Sequence, residues 1–195
     1  MNDKVQLIVG LGNPGAQYDR TRHNAGADLV SALASLCHAE MRHESRFHGQ
    51  YAKANWQGQT LHLLIPTTFM NLSGQAVQAL CSFYKVPPEA VLVVHDELDI
   101  PPGQARFKKG GGHGGHNGLK DIISRFGGNR EFHRLRIGIG HPGHAGMVAG
   151  FVLTKAPQAE QQLIEQASDA ALSALPLALS GDWSKAMNQL HAFKP

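Results

Sequence analysis

The sequence predicts an α/β protein: a single domain, residues 1–195, with a mixed, largely buried central sheet flanked by helices. Strand-like apolar runs alternate with helix-length amphipathic segments, and several of the runs are too continuously apolar for a sheet with one wet face. With 42% hydrophobic and 17% charged residues, the chain has enough apolar side chains for one substantial core. No internal repeat, low-complexity tract or linker interrupts it.

In chain order, strands are expected at "VQLIVGL" (5–11), "YAKANW" (51–56), "TLHLLIP" (60–66), "AVLVVHDEL" (90–98), "QARFKK" (104–109) and "FHRLRIGIG" (132–140). Helical spacing places Leu29, Leu33 and Leu36 on one face of a first helix, and Val77, Leu80, Cys81 and Tyr84 on that of a second. Leu119, Ile122, Ile123 and Phe126 mark a third. After Pro157 a long helix is expected to run to Pro176, and Asp182 reads as the N-cap of a closing helix. The segment "KKGGGHGGHNG" (108–118), with six glycines, suits close backbone approach to a ligand better than a packed element.

No apolar stretch reaches the roughly 18–20 residues of a membrane span, and "MNDKVQ" lacks a signal-type apolar region, so the expectation is a cytoplasmic protein, taken as a monomer. Cys37 and Cys81, 44 positions apart in helix-like segments, read as buried, reduced thiols. The net charge of +3 is unevenly spread. Residues 101–140 carry eight Lys or Arg against two acids, whereas the remainder is mildly acidic. That asymmetry suggests a polyanionic partner, although a solvated basic face would look the same in sequence.

"GLGNPG" (10–15) follows a strand with the spacing of a dinucleotide-binding fingerprint. The rest of that fingerprint is missing. "AQYDRTRHN" after Gly15 has no apolar face, and no carboxylate appears between Leu33 and Cys37. What remains is a strand end that delivers Asn13, followed by a loop that delivers His23 and Asn24. Two further strand ends present Met70 with Asn71, and His95, Asp96, Glu97 and Asp99. The carboxyl ends of strands are where open α/β sheets build ligand sites.

An imidazole titrating near neutrality with a carboxylate to fix its tautomer suits a general base, so His23 with Asp96 is a candidate pair; a loop histidine and an N-capping aspartate are the plainer readings. Asn13, Asn71 and Asn117 could be turn or cap residues. No G-x-S-x-G offers a serine nucleophile. "HESRFH" (43–48) fails the H-E-x-x-H spacing, and the pairs His113/His116 and His141/His144 lack a carboxylate or cysteine set, so no metal site is expected.

Together, "GLGNPG", "TRHNAG", "PTTFMN", "HDELD", "GGGHGGHNGLKDI" and "HRLRIGIGHPG" make the chain resemble the bacterial peptidyl-tRNA hydrolases along almost its whole length, through "AMNQLHAFK" near its end. The resemblance implies a single-domain enzyme without metal or other cofactor. Its substrate would be peptidyl-tRNA, cleaved at the ester between the peptide and the terminal ribose so that tRNA is recycled. It implies that His23 is the base and that Asp96 orients it. Asn13 and Asn71 would hold the ester and peptide backbone, with Met70 and Tyr18 beside them and Gly114 and His116 also in the substrate-binding set. Asn117, with the backbone around Gly114, would place the water or stabilise the oxyanion. Lys108 and Arg136 would grip the terminal phosphate of the acceptor stem, with His116, Lys109 and Arg134 as nearby candidates. His144-Ala145-Gly146 departs from the more polar stretch of the family, which leaves an RNA or peptide contact there open. A non-catalytic RNA-binding module is the rival reading; it would need neither His23 nor Asp96.

Overall fold

A computed structural model describes residues 4–195. Seven strands are present among them: β1 (Leu7–Gly10), β2 (Arg42–Glu44), β3 (Gly49–Trp56), β4 (Gln59–Pro66), β5 (Val91–Glu97), β6 (Ala105–Lys109) and β7 (His133–Gly138). The helices are α1 (Ala25–Leu36), α2 (Ser73–Tyr84), α3 (Asn117–Arg125), α4 (Val148–Val152), α5 (Gln158–Leu179) and α6 (Trp183–His191). All strands join one sheet in the order β2-β3-β4-β1-β5-β7-β6. The inner pairings β4–β1, β1–β5 and β5–β7 are parallel; β2–β3, β3–β4 and β6–β7 are antiparallel.

The expected mixed, buried sheet follows from the side chains of the inner strands. Leu7 and Val9 on β1, with Val91 and Val93 on β5, pack against α2 and α3. Ile8, Leu92 and Val94 point the other way, into a core shared with α1, α5 and α6. A strand buried on both faces has no polar face to show, so the apolar run is continuous.

Three features differ from the sequence expectation. The long helix does not stop at Pro176 but continues to Leu179. Proline costs a helix interior about 3 kcal/mol, but Leu175, Ala178 and Leu179 stay buried against the sheet on either side of it, so packing outweighs the missing N–H. β2 and α4, three and five residues long, are too short to show a period and were not expected. Cys37 is only half-buried; Cys81 is buried, its thiol pushed up to about 12 by burial, and both thiols are free. Asp182 caps α6 as expected, accepting from the Lys185 N–H at 3.1 Å. No helix among the described residues is long and apolar enough to cross a membrane.

The first turn of α1 lies directly on the sheet. A Cβ at Gly26 would sit 2.1 Å from the Val94 carbonyl oxygen, and one at Gly10 would sit 2.5 Å from the Gly26 oxygen. Gly26→Ala would improve helix propensity, yet both partners in the clash are backbone and cannot turn aside. The variant is expected to lose about 1–3 kcal/mol of stability. Urea unfolding checks this as a lower midpoint at unchanged slope, and an unshifted midpoint would show that α1 can lift from the sheet without cost.

Candidate active site

The carboxyl ends of β4, β1 and β5 open on one edge of the sheet, where the chain passes from β1 to β4 on one side and then to β5 on the other. The loop after β1 and the 3₁₀ turn Arg22–Asn24 are clipped together there. Asn13 N–H donates to Asn24 Oδ1 at 2.8 Å, and Asn24 Nδ2 donates to the Asn13 carbonyl at 3.0 Å. Asn13 Oδ1 accepts from the Met70 N–H at 2.7 Å, tying in the turn Met70–Leu72 that follows β4. Met70 is buried against α3, where a Cβ at Gly118 would lie 2.7 Å from its sulfur. Asn71 beside it is exposed. Tyr18 meets the exposed ring of Phe69 edge to face at 6.5 Å, on the rim of the same group.

Asp96, near the end of β5 and 3% exposed, gathers the second group. His23 Nδ1–H donates to its two carboxylate oxygens at 3.0 and 2.9 Å, and His116 Nε2–H donates to Oδ1 at 2.9 Å. His116 Nδ1 accepts from the N–H groups of Gly118 and Leu119 at 3.1 and 3.4 Å, capping α3, so the ring carries its proton on Nε2. Burial opposes ionisation of Asp96, yet the two imidazoles outweigh it and hold the carboxyl below its usual range. Burial likewise opposes a charged His23, but the Asp96 charge and hydrogen bond raise its pKa above the usual 6.5. His23 Nε2 makes no hydrogen bond among the described residues. His95 donates from Nδ1 to the Asp96 carbonyl at 2.7 Å, and burial pushes it down to about 3.

His23, Asp96 and His116, with Gly114 and Asn117, line a cavity of about 270 Å³. Its opposite wall is Ala145, Val148, Ala149 and Val152, on α4 and the turn before it. The departing segment 144–146 thus contributes an apolar wall residue, Ala145, with no charge. α4 is fastened to the histidine turn by Arg22. The guanidinium donates to Phe151 O at 3.0 Å and Thr154 Oγ1 at 2.8 Å, and it lies 3.8 Å above the Phe151 ring.

A second cavity of about 300 Å³ shares His95, Glu97, His113 and Gly114 with the first and is lined by Lys108, Arg134 and Arg136. The β6–β7 register sets Lys108 opposite Arg134 and Arg106 opposite Arg136. Like charges placed directly across an antiparallel pair are destabilising. An anion in the groove would relieve that repulsion. Arg136 Nη1 lies 3.9 Å from Glu97 Oε1, which steadies it without a close bond.

The predicted residues therefore fall into three adjoining sets. His23, Asp96, Asn117 and Gly114 share the first cavity, and Lys108 and Arg136 the second. Asn13, Tyr18, Met70 and Asn71 lie outside both; Asn13 joins the first through Asn24, and Met70 through Gly118. Two expectations change. His116 lines the first cavity, with the substrate-binding set, and not the phosphate groove, and Asp96 and the α3 amides engage both of its ring nitrogens. Arg134 is 2% exposed, and its guanidinium donates to the carbonyls of Gly111 and Gly112, so it is not a surface phosphate ligand. The sequence gives no sign of the His116–Asp96 bond, the Asn24 clip or the α4 wall. A histidine is an unusual N-cap, and the wall lies on a helix of one turn.

His23, Asp96 and His116 also bring metal-ligand atoms within 4.8 Å of one another, a set that sequence spacing does not reveal. Through Asp96 Oδ1, two of the three atom pairs are hydrogen bonds at 3.0 and 2.9 Å, closer than the roughly 3.3 Å separating tetrahedral ligands on 2.0 Å bonds to zinc. The arrangement fits a proton-sharing triad better than a metal centre.

The family model described as Peptidyl-tRNA hydrolase matches residues 7–195. A peptidyl-tRNA hydrolase of Tolumonas auensis is 58% identical over 194 residues, covering 100% of this chain and 98% of that protein. One of Aeromonas hydrophila is 59% identical over 194 residues, with the same coverage. The crystal structure of peptidyl-tRNA hydrolase from Acinetobacter baumannii superposes with a TM-score of 0.97 at 50% identity, covering 100% of this chain and 98% of that one. With the family model spanning nearly the whole chain and relatives 58% and 59% identical along nearly their full length, the chain belongs to the peptidyl-tRNA hydrolase family.

Proposed function

We propose that the protein hydrolyses the ester joining a peptide to the terminal ribose of tRNA, with His23 as general base and water as nucleophile. The observation that carries the reading is the buried Asp96 carboxylate holding His23 through Nδ1, which leaves Nε2 free beside a cavity that opens into a basic groove. A pure RNA-binding module has no use for that pair.

Because Asp96 accepts the Nδ1 proton, the lone pair of neutral His23 is on Nε2, the atom that takes a proton from water. The hydroxide adds to the ester carbonyl, and the negative charge passes to the carbonyl oxygen. Asn117 Nδ2 and the backbone near Gly114, on that cavity wall, would supply uncharged donors to it. Collapse of the tetrahedral adduct breaks the bond to the ribose oxygen, which receives the proton from His23. The products are the peptide's free carboxylic acid, which then gives its proton to solvent and leaves as the carboxylate, and tRNA with its terminal hydroxyl restored. Asp96 stays ionised throughout, since His116 donates to it at every stage.

Substrate binding divides between the remaining sets. Asn13, its oxygen held by Met70 N–H, keeps Nδ2 to offer the peptide or ester carbonyl, with Asn71 and Tyr18 alongside. Lys108 and Arg136 would hold a phosphate of the acceptor stem, a contact that positions RNA without reading its sequence. The whole chain, 1–195, would act as one domain, a monomer in the cytoplasm, a reducing compartment that suits its two free thiols.

Release of N-acetylated amino acid from charged tRNA tests the assignment. His23→Ala is expected to lower kcat by at least about 10²-fold, the lower end for loss of a general base, with tRNA affinity nearly unchanged; retention of a tenth of wild-type activity would remove His23 from that role. The wild-type rate is expected to fall on acidification through a pKa above 6.5, because protonated His23 has no lone pair to offer. Asp96→Asn, which removes the charge favouring imidazolium, is expected to slow the reaction and move that acid limb to lower pH. An unmoved limb would make Asp96 structural only. Lys108→Ala and Arg136→Ala are each expected to raise KM about tenfold with kcat little changed, and to reduce the salt slope by about 0.7–0.9. Equal impairment on a substrate trimmed to the terminal nucleotide would place both residues outside the acceptor-stem groove.

A further inference from the structure

Arg134 is a buried cation whose ties run to main-chain carbonyls. Its guanidinium bridges the oxygens of Gly111 and Gly112 and lies 4.5 Å from the centre of the Phe132 ring. Burial, with Arg136 and Arg130 nearby, pushes it down to about 10, so it stays charged at neutral pH. The loop that it grasps has little else to hold it. Gly111, Gly112, Gly114 and Gly115 are exposed, and Gly110, Gly111, Gly114 and Gly115 have φ between 56° and 98°, a region that favours glycine.

The clasp fixes the direction of two peptide planes. All described peptide bonds are trans, and in a trans peptide C=O and the following N–H point in opposite directions. With the carbonyls of Gly111 and Gly112 turned in to Arg134, the N–H groups of Gly112 and His113 are turned out. Neither makes a hydrogen bond among the described residues. Lys108, on β6, reaches over the same loop, its Nζ 2.9 Å from where a Cβ on Gly111 would be. Successive outward amides beside an ammonium form an anion-binding surface.

We propose that Arg134 is a positioning residue that sets these peptide planes, so that the Gly112 and His113 N–H groups bind a phosphodiester oxygen of the RNA together with Lys108. This rests on the reading of the second cavity as a phosphate groove, and it adds two backbone ligands and the residue that aims them. It also accounts for a cation facing Lys108 across the β6–β7 ladder: its charge is spent on carbonyls, and the benefit appears at the amides on the other edge of those planes.

The test is a titration of the whole protein with inorganic phosphate, followed by ¹⁵N–¹H spectra and controlled with chloride at equal ionic strength. The Gly112 and His113 amide protons are expected to move downfield and saturate in the wild type, and to respond more weakly in Lys108→Ala. Arg134→Lys keeps the charge, but a single ammonium cannot span two carbonyls. It is expected to lose the amide response and raise KM about tenfold, with kcat less affected. Arg134→Ala is expected to recover with guanidinium ion and not with sodium, a readout that a merely structural role would not give. Wild-type amides that ignore phosphate would overturn the proposal without need of any variant. If Lys108→Ala and Arg136→Ala still raise KM in that case, the groove reading stands and only the backbone ligands fall; if those two leave KM unchanged, the groove reading itself fails.

Discussion

A carboxylate sealed inside a protein is costly, several kcal/mol after relaxation, unless hydrogen bonds replace the water it has lost. Asp96 is in that position, and the architecture of the site is the means by which it is satisfied. One donor arrives from the turn that starts α1 and the other from the residue that caps α3. The α3 amides occupy Nδ1 of His116 and thereby place that ring's proton on Nε2, facing Asp96. A helix terminus thus helps to decide which nitrogen of a different histidine is free to act as a base.

The same pair sets stability and activity against each other. The pKa of His23 is raised in the folded protein, so its contribution to stability is fully present below the unfolded value of 6.5 and is lost as pH rises through the folded value. Catalysis needs the opposite protonation state. Like-charge pairing of Lys108 with Arg134 and of Arg106 with Arg136 is a second case in which a locally unfavourable arrangement coincides with a proposed binding surface. Both costs fall at the open edge of the sheet, while the apolar strands behind it supply the stability that tolerates them.

Sequence periodicity reveals what is repetitive and buried. The six strands and five longer helices were legible because each repeats an apolar signal over several residues; Asn13, Met70, Asn71 and Asp96 stood out at or just past the ends of apolar runs, and His23 in the polar loop that follows the first of them. Pro176 misled because a rule about isolated helices ignores the leucines on either side of it, which the core holds in register. β2 and α4 are shorter than any period. Arg134 and His116 entered as neighbours of the phosphate-gripping positions that the resemblance implies, yet their contacts depend on which way a side chain turns once the glycine loop has folded back. Linear spacing does not contain that information.

His23 and Asp96 are separated by 73 residues, and they meet only because β1 and β5 pair in parallel with Val9 beside Val93. Between them the chain must complete α1, two antiparallel hairpin connections, β4 and α2. Contacts that close such long loops form late and slowly during folding, because the entropy of closure must be met before the pairing rewards it. Recovery of ester hydrolysis during refolding would therefore report the docking of the two central strands, and a partly folded chain with all its helices formed would still be inert.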